Sequence, residues 1–281
     1  MIFRRKTFLV DCFFQLTINY RQLTIYEFDL IEYTTRRKLQ SMFRGISVFQ
    51  LFLMFLLLNV VLSRQIPTLL QTFISDPIIG LFTMIGLISG ITIHEASHAF
   101  VAYRLGDPTA KLQGRLTLNP ASHLDPLGTI AIIFLGFGWG KPTPFDPFNL
   151  RNIKRDSALI SVAGAVSNIL LAIILCIPYL IAYYFQMLSP EINNIYYYIT
   201  PVIFFNIILA VFNLLPVAPL DGFKVLAGLL PRDWYEDFIQ TEQYGIFILL
   251  ILLATGMISR ILLPITAVIF SALMPGFAPG F

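Results

Sequence analysis

The sequence predicts an all-α, polytopic membrane protein, and three observations carry that prediction. The 281-residue chain is 57% hydrophobic and 12% charged, about half the charged share of an ordinary soluble domain. Its mean hydropathy is +0.76. Several uninterrupted apolar runs approach the roughly 20 residues a helix needs to cross a bilayer. These runs do not alternate apolar with polar residues, as the strands of a membrane barrel would.

Residues 1–45 read as a cytoplasmic, membrane-surface extension. They carry basic clusters at Arg4, Arg5, Lys6 and at Arg36, Arg37, Lys38. The apolar start is broken by Asp11 and no small-residue cleavage site follows, so a cleavable signal is not expected. Residues 46–281 form the expected membrane-embedded domain. A first span is expected over 46–63, bounded by Arg44 and Arg64, and a second over 78–102. Residues 103–126 make a polar, Gly- and Pro-rich loop. Residues 127–138 are apolar but short, as a re-entrant or interfacial segment would be. Spans are expected over 158–185 and 200–216. The last apolar stretch, 243–274, is expected to split at Ser259 and Arg260 into two short helices or a hairpin, one that could gate lateral access. This makes about five to six transmembrane helices.

Loop charge sets an orientation. Residues 1–44 hold eight Lys or Arg and residues 103–157 hold seven, whereas 186–199 hold none. The positive-inside rule then places the first two segments, with 217–242, on the cytoplasmic side and 186–199 outside. The same basic loops account for the net charge of +3 without invoking nucleic acid. Cys12 and Cys176 are far apart, and Cys176 lies in an apolar run, so neither a disulfide framework nor a thiolate metal site is expected.

The second span ends in "ITIHEASHAF", residues 91–100, which contains two of the chain's three histidines. At i and i+4, His94 and His98 share one helix face and can direct two imidazoles at a single ion. A catalytic zinc commonly takes three protein ligands and leaves the fourth position to water. Glu95 stands beside the first ligand, where a carboxylate can take a proton from that water and deliver it to a leaving amine. Such groups are costly near a membrane unless they function there. Ser97 fits close helix packing better than nucleophilic catalysis.

A third ligand has to come from elsewhere. Arg104 occupies the place of a third histidine in the extended motif, and no Glu occurs between Glu95 and Glu191. His123 lies in the polar loop. Asp221, in "NLLPVAPLDGFKV", closes an apolar span behind Pro216 and Pro219 and is the strongest candidate; the alternative is an ordinary loop carboxylate or a helix cap. Loop charge, which ignores metal chemistry, puts His98 and Asp221 at the same membrane side.

Taken together, these pieces resemble the site-2 protease family of intramembrane zinc metalloproteases, in which an HExxH helix and an LDG-type motif build the zinc site. "GRLTLNPASHLDPLGT" is similar to the family's LNPxxHxDPxG segment, "FGWGKPTP" to its downstream proline-bearing stretch, and "AGAVSN" to its Gly-x-x-x-Asn element. The resemblance runs over residues 78–230, in the family's order. It implies one zinc ion per chain held by His94, His98 and Asp221, with Glu95 as general base. It implies that Asn168 polarises the scissile carbonyl; an interhelical hydrogen bond is the other reading. His123 would contact substrate, tune access or order its loop through Asn119 and Asp125, without being a ligand. Gly136–Gly140 would let backbone approach closely beside an extended substrate strand, or form a plain turn. The chain resembles a compact member, without PDZ or CBS module.

The implied reaction is hydrolysis of transmembrane proteins within or at the cytoplasmic edge of the bilayer, on substrates delivered intact or already cut by another protease. The implied surroundings are the lipid of a cell membrane that the chain crosses several times. An inactive scaffold would not need Glu95. A metal transporter would need polar residues through the full membrane depth, and the outer halves of these spans are apolar. A peptidase for soluble substrates with an embedded site would more naturally carry an extramembrane domain.

Overall fold

The computed structural model describes residues 68–135 and 138–277. The chain divides into two units, Met1–Leu58 and Asn59–Phe281. The expected extension 1–45, the expected span 46–63 and Gly136 lie outside the described residues. Those residues form helices α1 (Thr68–Ser75), α2 (Pro77–Arg104), α3 (Thr109–Leu112), α4 (Pro126–Leu135), α5 (Ile153–Tyr184), α6 (Pro190–Asn213), α7 (Asp221–Leu229), α8 (Arg232–Gln240), α9 (Gly245–Ala254) and α10 (Met257–Leu273). Among them there is no strand, only an isolated bridge between Leu124 and Gly140.

Local chemistry sets the long helices. α2 starts where the Asp76 carboxylate accepts from the N–H groups of Ile78 and Ile79, with Pro77 at the first helical position. α5 starts on Asn152, whose side chain accepts from Arg155 N–H. α6 starts on Ser189, with Pro190 next. At 28, 32 and 24 residues, α2, α5 and α6 are each long and apolar enough to cross a membrane; so is the continuous run Arg232–Ala254, and Met257–Leu273 is a shorter apolar helix. The all-α polytopic class is therefore what the chain adopts.

The core is a three-helix contact of α2, α5 and α6, with α7 on α5 and α10 on α6. Apolar packing centres on Ala172, Cys176, Tyr179, Ile203, Ile207 and Phe270. Hydrophobic pressure does not hold helices together inside lipid, so close approach through small residues matters. A Cβ on Gly86 of α2 would lie 2.9 Å from Val202 Cα of α6. Pro178 removes a backbone donor from α5, and the Tyr196 hydroxyl of α6 enters that turn. It accepts from Tyr179 N–H and donates to the Leu175 carbonyl, both at 3.1 Å, so these backbone groups are partnered where no water reaches.

The re-entrant expectation has a definite geometry. α4, about 15 Å long at 1.5 Å per residue, runs out from Pro126. The chain then returns with Gly140 paired to Leu124 and Lys141 N–H donating to the His123 carbonyl at 2.7 Å. A Cβ on Gly128 would sit 2.0 Å from the Trp139 carbonyl oxygen, so only glycine lets the two limbs touch.

Two boundaries differ from expectation. Most of 186–199 is helix, because α6 begins at Pro190 rather than 200; proline at N1 and a serine cap begin a helix although they look like loop residues. The final stretch breaks at Gly256, not at Ser259 and Arg260. Gly256 adopts φ 67°, a left-handed conformation that glycine takes without strain, and Ser259 and Arg260 lie inside α10.

Candidate metal centre and active site

α2 places His94 and His98 one helical turn apart, both buried, with ring planes at 89° and centroids 4.5 Å apart. Asp221 arrives from the other end of the sequence. α6 ends at Asn213, a turn follows, and Asp221 is the first residue of α7. It follows the N-cap residue Leu220. Its Oδ2 lies 2.9 Å from His94 Nε2 and 3.1 Å from His98 Nε2. Gly222 makes this approach feasible, since a Cβ there would be 2.2 Å from the Leu214 carbonyl oxygen.

The far nitrogens decide the tautomers. His98 Nδ1 faces the Ile160 carbonyl at 2.7 Å, a pure acceptor, so Nδ1 carries the proton. His94 Nδ1 faces Asn168 Oδ1 at 2.9 Å. The orientation of that amide is fixed in turn. Asn168 Nδ2 donates to the Gly90 carbonyl at 3.1 Å and to Asn206 Oδ1 at 2.9 Å, and Asn206 Nδ2 donates to the Val202 carbonyl. Backbone acceptors at both ends make every amide in the relay point one way, so His94 Nδ1 also carries a proton. With neutral imidazoles, both Nε2 lone pairs then converge on a carboxylate oxygen. The three ligand atoms all lie within 4.8 Å of one another. Three acceptors at that range repel unless a cation sits among them, and two imidazoles with one carboxylate are a donor set zinc accepts. The residues fit a metal ion.

α5 can approach His94 this closely because of Gly164. A Cβ there would fall 2.6 Å from His94 Cε1. The Gly-x-x-x-Asn element thus does two jobs on one helix face: Gly164 makes room for the imidazole and Asn168 orients it.

Glu95 lies outside this relay. Its Oε2 accepts from Thr143 N–H at 2.7 Å, and Thr143 Oγ1 donates to the Glu95 carbonyl at 3.0 Å. Arg115, almost wholly buried, braces the adjoining chain: its Nη2 donates to the carbonyls of Lys141 and Pro142. Burial pushes the guanidinium down, and the Glu95 carboxylate partly offsets this.

His123 is completely buried and its Nε2 faces the Thr117 carbonyl at 2.8 Å. It is not part of the group formed by His94, His98 and Asp221. Contact with substrate does not fit a side chain without exposed surface; His123 ties the loop through Thr117, while Asn119 and Asp125 hold it by accepting from Ala121 N–H and Gly128 N–H. Sequence reasoning missed Thr143 and Asn206. An isolated amide in the apolar run of α6 was a signal for Asn206.

The 41% identity over 185 residues to the Bacillus subtilis protein named "Putative zinc metalloprotease YwhC" covers 65% of this chain and 84% of that one. The family model described as Peptidase family M50 matches residues 181–255, the part that includes Asp221. The chain belongs to peptidase family M50. The resemblance to site-2 proteases is thereby confirmed. Similarity extends to the Mycolicibacterium smegmatis protein named "Putative zinc metalloprotease Rip2", 28% identical over 189 residues, covering 65% of this chain and 71% of the relative. The Mycobacterium tuberculosis (strain H37Rv) protein of the same name is 26% identical over 181 residues, covering 62% and 67%. No solved structure matches the chain. As an M50 peptidase, the chain carries its only group of three metal-capable side chains among the described residues where α2 meets α7.

Proposed function

We propose that His94, His98 and Asp221 hold a single catalytic zinc ion and that Glu95 is the general base of an intramembrane metallopeptidase. The observation that carries this reading is the convergence of His94 Nε2 and His98 Nε2 on Asp221 Oδ2, at 2.9 and 3.1 Å, from helices 127 residues apart in sequence. The enzyme is a zinc metallopeptidase of helical membrane architecture. Bound zinc supplies Lewis acidity, which acidifies water and polarises the scissile carbonyl.

The chain's own groups supply the rest. Thr143 N–H holds Glu95 Oε2 and leaves Oε1 to take the proton of the attacking water and return it to the leaving amine nitrogen. Asn168 is fully buried and both of its amide hydrogens are engaged. In this reading Asn168 orients His94, which is the interhelical hydrogen-bond alternative to polarising the scissile carbonyl. The substrate is a membrane protein. A transmembrane helix hides its carbonyls in internal hydrogen bonds, so the cleaved segment must unwind before it reaches Glu95. The basic loops around residues 103–157 support a cytoplasmic position for the site, and the burial of His94 and His98 suits substrates already shortened by another protease.

The test uses wild type and Glu95→Gln, purified in detergent and incubated with labelled single-span substrates, with metal content measured on the same samples. Wild type should cut and Glu95→Gln should retain zinc without cutting. Equal cleavage by both would remove Glu95 from the mechanism.

A further inference from the structure

Thr143, which holds Glu95, is also a wall of a pocket of about 420 Å³. Lys224 lines the same pocket from α7, the helix that begins at Asp221; Lys154 lines it from the start of α5, and Phe145, Tyr235 and Glu242 complete the part that matters here. One pocket thus touches the segment that fixes the general base and the helix that supplies the metal ligand. Lys224 follows Asp221 by three residues, about 4.5 Å along the helix and on a neighbouring face. A peptide lying across the metal site has side chains within reach of it.

The chemistry of the walls selects an occupant. The Lys154 ammonium donates to the Leu230 carbonyl and lies 5.5 Å from the Tyr235 ring centroid. The Lys224 ammonium lies 4.6 Å from the Phe145 ring centroid and pairs with no carboxylate among the described residues. Glu242 is the pocket's single acid and is exposed. Two cations against one exposed carboxylate leave an excess of positive charge. The aromatic and aliphatic walls lower the local dielectric and strengthen a charge pair formed there. The volume falls at the small end of ligand pockets and suits one or two side chains, not a helix.

We infer that this pocket is a side-chain subsite of the peptidase, which takes an Asp or Glu of the substrate within a few residues of the scissile bond, with Lys224 as its counter-charge. The inference rests on the proteolytic reading above, and its test is built on binding so that the two can fail separately.

Single-span peptides carrying Glu, Gln or Lys at each of the three positions on either side of the cut are bound to zinc-loaded Glu95→Gln enzyme in detergent. At one position Glu should bind about tenfold more tightly than Gln, as one partly desolvated charge pair would give. Lys224→Gln should erase that difference. Lys224→Glu should reverse it, favouring the Lys peptide, a gain that a misfolded variant cannot mimic. Equal binding of Glu and Gln peptides at every position would overturn the subsite, as would a preference that survives in Lys224→Gln. Loss, in Lys224→Gln, of a dependence on phosphatidylglycerol in reconstituted vesicles, with peptide preference intact, would also overturn it, by assigning the pocket to lipid. Cleavage of the Gln series by wild type is scored separately, and its absence would count against the peptidase reading without altering the binding comparison.

Discussion

His94 Nδ1 and Asn168 Oδ1 lie 2.9 Å apart in the centre of the helix bundle, and the amide that holds the imidazole is itself held by Gly90 and Asn206. The His94 tautomer that leaves Nε2 free for a metal is thus set by two backbone carbonyls, that of Gly90 through Asn168 and that of Val202 through Asn206 and Asn168.

Asn168→Ala should therefore weaken zinc binding by about 10- to 100-fold, the usual effect of removing a partner that orients a metal ligand. Chelator competition on the purified protein measures it. If Asn168 served only a developing oxyanion, zinc affinity would stay the same and kcat alone would fall.

Gly164→Ala should displace the His94 ring, because the added methyl would sit 2.6 Å from Cε1. Overpacking of this kind costs about 1–3 kcal/mol. Zinc content should fall together with thermal stability, whereas Ser167→Ala, on the next turn, should keep its zinc.

How much of this was legible beforehand depends on the range of the interaction. The spans over α2 and α5 were legible because twenty apolar residues in sequence admit few other structures, and His94, Glu95 and His98 because i, i+4 spacing is local. Asp221 could be found because prolines, an apolar span and an Asp-Gly pair meet there. The Asn206–Asn168–His94 relay was not legible, since it joins three helices and no local spacing records that pairing. Thr143 was hidden for another reason. Its main contact with Glu95 is a backbone N–H, which every residue except proline supplies, so its identity carries little signal. The start of α6 was misplaced because Pro190, Asn193 and Asn194 look like loop residues, while position N1 welcomes proline.

Thr143 separates backbone from side-chain support of Glu95, the proposed general base. Thr143→Val keeps the N–H to Glu95 Oε2 and loses only the hydroxyl bond to the Glu95 carbonyl. It should cost about 1 kcal/mol, within about tenfold in kcat. Thr143→Pro removes the N–H as well and should cost substantially more. Zinc content should be unchanged in Thr143→Val, which a steady-state assay paired with metal analysis would establish.

The polar loop should loosen in acid through Asp107. This fully buried carboxylate accepts from Thr109 N–H and Oγ1, Asp146 N–H and Asn149 Nδ2. Burial raises its carboxyl, but the hydrogen bonds outweigh that and lower it. A depressed folded-state value means the stabilisation is complete above the unfolded carboxylate pKa, about 3.9, and is lost as pH falls below it through the folded value. Limited proteolysis of residues 105–150 should therefore accelerate only below about pH 4. In Asp107→Asn it should be faster at neutral pH and lose this acid dependence.

The central claim is the ligand set, and X-ray absorption at the zinc edge of the purified wild type tests it most directly. The account predicts two imidazole nitrogens at about 2.0–2.1 Å and a carboxylate oxygen at a similar distance, with the signal lost in Asp221→Ala. A shell containing sulfur or a third imidazole, or a zinc shell unchanged by Asp221→Ala, would contradict it.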